Sequence, residues 1–180
     1  MLSAGGSAYY DLVVDQLRRR AMGARYRLLL RSGCYLTHDS GLYRRAFEQL
    51  RTRNPELAAQ NDALRPALEV WAYVQSRPEP GKAIANFGKR DASHDDPPVP
   101  LKWFRPGGTM TQPEAIPGNH RVVQLNDQHC HLEIEVDSPL AVGDMVAFGI
   151  SHPCLTFDKW RTLYVVDDDY NVISAVCTYF

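Results

Sequence analysis

Apolar residues recur at helical spacing near the start of the chain. Tyr10, Val13, Val14, Leu17 and Ala21 share one face of a helix that Ser7 can cap and that runs through Arg20. A short apolar run, Tyr26 to Leu30, ends in the turn Arg31-Ser32-Gly33 and reads as a buried strand. Asp39 or Ser40 then opens a second helix to about Arg51. Strand, loop and helix in this order are α/β grammar. The stretch holds far fewer such units than a closed (β/α)8 barrel, which takes ~250 residues. Residues 1–55 therefore read as an α/β barrel remnant.

After Pro55 the period changes. Val70 to Arg77 and Ala83 to Gly88 alternate or run apolar between turn residues. Leu132, Ile134 and Val136 alternate with Glu133, Glu135 and Asp137, the pattern of a half-buried strand. The turn Ser138–Asp144 follows, and Val146, Phe148 and Ile150 form the return strand. Leu163 to Val166 and Val172 to Phe180 make a last hairpin around Asp167–Asn171. The Pro-, Gly- and Asp-rich stretch from Asp91 to Asn119 reads as long loops. The expected plan is the barrel remnant at 1–55, then a connector and a mostly antiparallel all-β domain, together 56–180, with the strands from about 65 onward.

Composition adds limits. With 180 residues, 44% hydrophobic and 23% charged, the chain is ordinary for a globular protein. Its net charge is −1 but unevenly spread. Residues 1–55 hold ten Arg and four acids; the rest holds ten Lys or Arg and seventeen acids. The basic part could attract phosphate, or its arginines could be solvated helix faces. Aromatic residues are not interleaved with basic ones, so no nucleic-acid partner is expected. No apolar stretch is long enough to cross a membrane. Four scattered cysteines and the absence of a leader point to reduced thiols in the cytoplasm.

Three clusters could carry chemistry. In Ser151-His152-Pro153-Cys154, an extended backbone would project His152 and Cys154 to one face, and Pro153 favours that conformation at His152. An N and S donor pair suits Zn²⁺ and leaves coordination positions open for water or substrate. The same spacing also fits a strand-end histidine and a buried cysteine without metal. In Asn126–His131, His129 and His131 project together while Cys130 points away; they could give a ligand or a general base, or be a surface pair. Gly5-Gly6-Ser7 and Ser32-Gly33-Cys34 could sit at the carboxyl ends of neighbouring strands, with backbone N–H groups converging on one phosphate, or be plain turns.

Read together, these segments resemble the D-serine dehydratase-like and D-threonine aldolase family of fold-type III pyridoxal-phosphate enzymes. The resemblance runs through SAGGSAYYDLV at 3–13, RSGCYLTHDSGLYRRAF at 31–47, GKRDASHD at 88–95, PLKWFRP at 100–106, NDQHCHLEI at 126–134 and the end from GISHPC onward. It implies an alanine-racemase-like fold, here incomplete, with pyridoxal phosphate and Zn²⁺ as cofactors. It implies that His152 and Cys154 are the zinc ligands and that Gly5, Gly6, Ser7, Gly33, Cys34 and Tyr35 hold the cofactor phosphate. His129 falls in the motif near the active site. Cysteine rather than aspartate at position 154 leans toward the deaminase branch: elimination from a D-amino acid, giving a 2-oxo acid and ammonia. The alternatives are a D-threonine-type aldolase and a non-catalytic metal-binding β domain. The family's Schiff-base lysine has no match among Lys82, Lys89, Lys102 and Lys159. The resemblance thus implies an inactive carboxy-terminal fragment or truncated gene product, with a homodimer as the full-length form.

Overall fold

The computed structural model describes residues 1–20, 26–31, 33, 36–59 and 64–179, without the side chains of residues 7, 57 and 58. At the start, strand β1 (Leu2–Gly5) lies parallel to β2 (Leu28–Arg31), with Gly5 opposite Arg31. Between them a 3-10 turn (Ser7–Tyr9) leads into helix α1 (Tyr10–Arg20). Parallel neighbours need such a crossover, and the helix supplies it. The helical turn begins at Ser7 itself with Gly6 in the capping position, so Ser7 does not cap it. The strand expected to be buried is half exposed, with Leu29 at 46%, because among the described residues only β1 pairs with it.

Helix α2 (Leu42–Arg53) follows, then the single turn α3 (Pro55–Ala58). Asp39, not Ser40, opens α2: its Oδ1 accepts the backbone N–H groups of Gly41, Tyr43 and Arg44 at 2.9, 2.8 and 3.4 Å. Only Asp39 therefore answers donors that a helix start leaves unpaired. Arg53 clamps α2 to α1, reaching Asp11 through Nε and Nη2 at 2.9 and 2.7 Å. That guanidinium holds the Asp11 carboxyl below its usual range.

The rest is built on seven antiparallel strands: β3 (Glu69–Glu79), β4 (Lys82–Ala85), β5 (Val99–Phe104), β6 (Glu114–Ala115), β7 (Arg121–Leu125), β8 (Cys130–Glu133) and β9 (Met145–Gly149). Their order across the sheet is β6-β5-β9-β3-β4-β8-β7. Strands β5 and β7 touch although five positions apart, so the sheet is curled. Inside the curl lie Val70, Ala72 and Val74 of β3, with Leu132, Leu140, Val146 and Phe148, and the Phe87 ring packs tilted against Phe148 with centroids 4.5 Å apart. The helical turn α4 (Cys154–Phe157) and the hairpin of β10 (Thr162–Val166) and β11 (Val172–Cys177) complete the chain.

The last hairpin and the alternation of β3 follow the sequence pattern. Three expectations do not. Strand β9 is not the return partner of β8; it pairs with β3 and β5. Its Val146, Ala147 and Phe148 are all fully buried, because the strand is central and covered on both faces. The alternating run ends at Glu133 as strand, and Val136 is 75% exposed in the turn beyond. Finally, 91–119 is not all loop. Strand β5 runs through it despite Pro100, which sits at a register shift, where the ladder tolerates a missing donor.

Candidate metal and phosphate site

Three loops meet at or beside α4, and a further turn docks on one of them. The first is His38–Gly41, where Ser40 donates its N–H to the Ile150 carbonyl at 3.0 Å. A Cβ on Gly149 would lie 2.2 Å from Ser40 Oγ, and one on Gly41 would lie 2.6 Å from Ser151 Oγ. These two glycines let the first loop press against the last. The second loop, Asp91–Asp96, is fastened to the segment after it: Ser93 N–H donates to Thr156 Oγ1 at 3.0 Å, and Trp160 Nε1 to the Asp91 carbonyl at 2.6 Å. The further turn, Asn126–His129, is docked on Gly88 through Lys89 N–H to the Asn126 carbonyl at 2.9 Å.

The third loop carries Ser151–Cys154. Its backbone is not extended as expected. His152 takes φ +51°, in the left-handed region, and Pro153 has helical angles. Pro153 therefore starts α4 and does not stiffen a strand. A non-glycine residue held left-handed costs roughly 1–2 kcal/mol. Here the conformation is held by Asp39 Oδ2, which accepts the His152 N–H at 3.2 Å, and by Leu155 N–H donating to the His152 carbonyl.

The His152 imidazole is half exposed, and Nδ1 pairs with Oδ2 of Asp95. Among the described residues, Nε2 makes no hydrogen bond. Cys154 is exposed rather than buried. This N and S donor pair fits a thiophilic divalent ion such as Zn²⁺. Among the described residues no group of three or more His, Cys, Asp or Glu could hold a metal. Asp96 is engaged elsewhere, with Arg45 Nη2 at 2.7 Å and Ser151 Oγ at 3.4 Å.

His129 lies exposed in its turn, while His131 on β8 meets Asn126 Nδ2 at 3.2 Å. Cys130 between them is fully buried, and burial pushes its thiol far up, so it is inert as a ligand.

Gly5 ends β1 and Arg31 ends β2, side by side in a parallel pair, and of the second turn only Gly33 is among the described residues. Among the described residues, a Cβ on Gly33 would meet nothing within 4 Å. Cys34, Tyr35 and the Ser7 side chain lie outside the described residues. The Gly6–Tyr9 turn connects to the first loop, since Ala8 and His38 line one small apolar cavity with Phe47 and Leu50. All four lysines lie far from these turns in sequence. Lys82 pairs with Glu79, Lys102 with Tyr170 and Lys159 with Asp158, and Lys89 follows Gly88 in its loop.

The model of the family described as "Putative serine dehydratase domain" matches residues 67–166, more than half the chain. The chain belongs to that family. No curated protein sequence matches it. Among solved structures, D-threonine aldolase from Filomicrobium marinum is 26% identical with a TM-score of 0.56, over 80% of this chain and 33% of that one. D-threo-3-hydroxyaspartate dehydratase from Delftia sp. HT23 is 19% identical with a TM-score of 0.53, over 85% of this chain and 39% of that one. The chain thus spans between a third and two fifths of these neighbours' lengths. The expected D-serine dehydratase-like family, with D-threonine aldolase beside it, is borne out, and so is its mostly antiparallel β domain. No described helix is long and apolar enough to cross a membrane.

Proposed function

We propose that this chain is the metal-binding part, with the phosphate end of the cofactor site, of a pyridoxal-phosphate- and zinc-dependent D-amino acid deaminase acting on a substrate such as D-serine. The observation that carries this reading is the exposed pair His152 and Cys154, inside a domain matched by the family. The dehydratase neighbour has been solved as a cysteine-to-alanine mutant in the metal-free form and as a histidine-to-alanine mutant, at positions two apart, like His152 and Cys154. When bound, pyridoxal phosphate supplies an electron sink for the substrate α-carbon, and Zn²⁺ a Lewis acid for its carboxylate and β-hydroxyl.

The chain's own residues hold and orient. His152 Nε2 and Cys154 Sγ hold the ion, with positions left for substrate oxygen. Gly5, Gly6, Ser7 and Gly33, with Cys34 and Tyr35, bind the phosphate through the two turns. His129, exposed on the turn fixed by Gly88, is the candidate to exchange a proton with substrate. No lysine of this chain is placed to carry the aldehyde end, so the chain on its own is inert in turnover. That lysine belongs to an α/β barrel of which 1–55 is one part, with 56–180 as the β domain. The complete protein is proposed as a cytoplasmic homodimer.

Assay of the complete product of the reading frame that carries this chain tests the proposal. With D-serine, ammonia and pyruvate should accumulate in equal amounts and vanish in the His152→Ala protein. Glycine plus an aldehyde as the main products from a β-hydroxy-D-amino acid would discard elimination in favour of the aldolase reading. The higher identity to the aldolase structure favours that alternative.

A further inference from the structure

We infer that Asp95 is a positioning residue for the metal donor His152: its carboxylate holds the proton on Nδ1 and so presents the lone pair at Nε2. The inference rests on the metal reading above and assigns a role to a residue outside the donor pair. A neutral imidazole has one N–H and one lone pair, and the partner of one nitrogen decides which atom is free to bind a metal. Here Oδ2 of Asp95 sits against Nδ1, and among the described residues His152 is the only ion-pair partner of Asp95. The neighbouring Asp96 differs. Its charge is already answered by Arg45, and it faces Ser151 rather than the ring.

The pairing is built in from both sides. Asp95 lies in a loop whose Ser93 N–H is fastened to Thr156 of α4, a side chain only 1% exposed, and whose Asp91 Oδ2 accepts the Gly88 N–H at 2.8 Å. His152 is fixed at its main chain by Asp39. With the ring held at Nδ1 and the backbone held at N–H, Nε2 has one direction left. A site with only two protein donors depends on such preorganisation more than a four-donor site does, because fewer bonds share the cost of ordering the ligands.

The test uses the full chain, zinc alone as ligand, and circular dichroism to confirm folding of each variant. Zinc affinity is read by competition with a chromogenic chelator, and the His152 tautomer by imidazole ¹⁵N shifts on the zinc-free protein. The wild type should show Nδ1–H. Asp95→Asn should weaken zinc about 10–100-fold and mix the tautomers. Asp95→Glu should recover much of both, and Asp96→Asn should change neither. An unchanged tautomer and affinity in Asp95→Asn, with zinc binding still lost in His152→Ala and Cys154→Ala, would overturn the role of Asp95 alone. Zinc binding that survives His152→Ala would instead overturn the metal reading and the inference with it.

Discussion

The backbone N–H of His152 donates to Oδ2 of Asp39 across 3.2 Å, joining residues 113 positions apart. The other oxygen of the same carboxylate accepts three N–H groups at the start of α2. One buried side chain, 2% exposed, therefore caps helix α2 and sets the backbone of the candidate metal loop.

Replacing Asp39 by Ala should cost about 2–3 kcal/mol, a lost cap plus a buried donor left without an acceptor. Urea unfolding should show a lower midpoint with an unchanged slope. Asp39→Asn should cost less, since an amide oxygen can still cap α2. The amide should nonetheless disturb His152, because an –NH₂ group facing the His152 N–H cannot accept from it. Amide hydrogen exchange at His152 should therefore speed up in both variants, and exchange at Tyr43 mainly in the alanine variant.

Two close approaches of glycine differ in what stands in the way. A Cβ at position 88 would lie 2.3 Å from the Asn126 carbonyl and 2.6 Å from that of Asp127, both backbone. At position 149 the obstacles are the Ser40 and Leu101 side chains. Gly88→Ala should cost about 1–3 kcal/mol and displace the 126–129 turn, visible as changed His129 ring shifts by NMR. Gly149→Ala should cost less, and adding Ser40→Ala should return part of the loss, a coupling that Ser40→Ala should not show with Gly88→Ala.

Stability should fall as pH drops below the ordinary imidazole value of 6.5. His38 and His120 are both buried, and burial pushes both below that value, His38 against the opposing pull of Asp39 and His120 against Glu135. The unfolded chain takes up a proton at each near 6.5, whereas the folded protein takes it up only at lower pH. Their contribution is therefore complete above 6.5 and is lost as pH falls toward the folded values. Urea midpoints from about pH 7.5 to about pH 5.5 should decline, and His38→Gln with His120→Gln should flatten that decline. A slope unchanged in the double variant would assign it to other groups.

What the sequence made legible was local. The alternation of Val70, Ala72 and Val74 and the Asp167–Asn171 turn carry their own periodicity, so β3 and the last hairpin could be read directly. Strand β5 could not, because Pro98, Pro100 and Pro106 mask a strand whose pairing with β9 is set by residues over forty positions away. The partner of β9 is likewise a matter of sheet order, on which a run of apolar residues is silent. The candidate pair His152 and Cys154 stood out by spacing, but the backbone that carries it did not. A proline after histidine favours extended backbone locally, and a carboxylate 113 residues upstream overrides it. Asp95 lay in plain sight within GKRDASHD, and only the folded loop shows that it faces the imidazole.

Tyr170 ties the hairpin of β10 and β11 to the main sheet, alongside Gln112 Nε2 donating to Asp169 Oδ1 at 2.7 Å and Leu163 packed on the core. Most of the hairpin is exposed, with Tyr164 at 71% and Ile173 at 64%, and two strands alone are marginal in water. Tyr170, with φ +63° in the turn, reaches back to the main sheet. Its hydroxyl donates to Glu69 Oε2 at 2.9 Å and accepts from Lys102 Nζ at 2.8 Å, while its ring meets Trp71 edge-on at 5.3 Å. Tyr170→Phe keeps the ring contact and removes both polar bonds, leaving Glu69 and Lys102 close together without the hydroxyl between them. Tyr170→Ala removes the ring contact as well. The hairpin should therefore loosen in the order wild type, Phe, Ala, read as faster proteolysis between 160 and 180 at unchanged unfolding midpoint of the main sheet. Because Trp71 reports on the same contact, its fluorescence should shift to the red in the alanine variant and stay close to wild type in the phenylalanine variant. Equal proteolysis rates in all three proteins would show that the hairpin is held by something other than Tyr170.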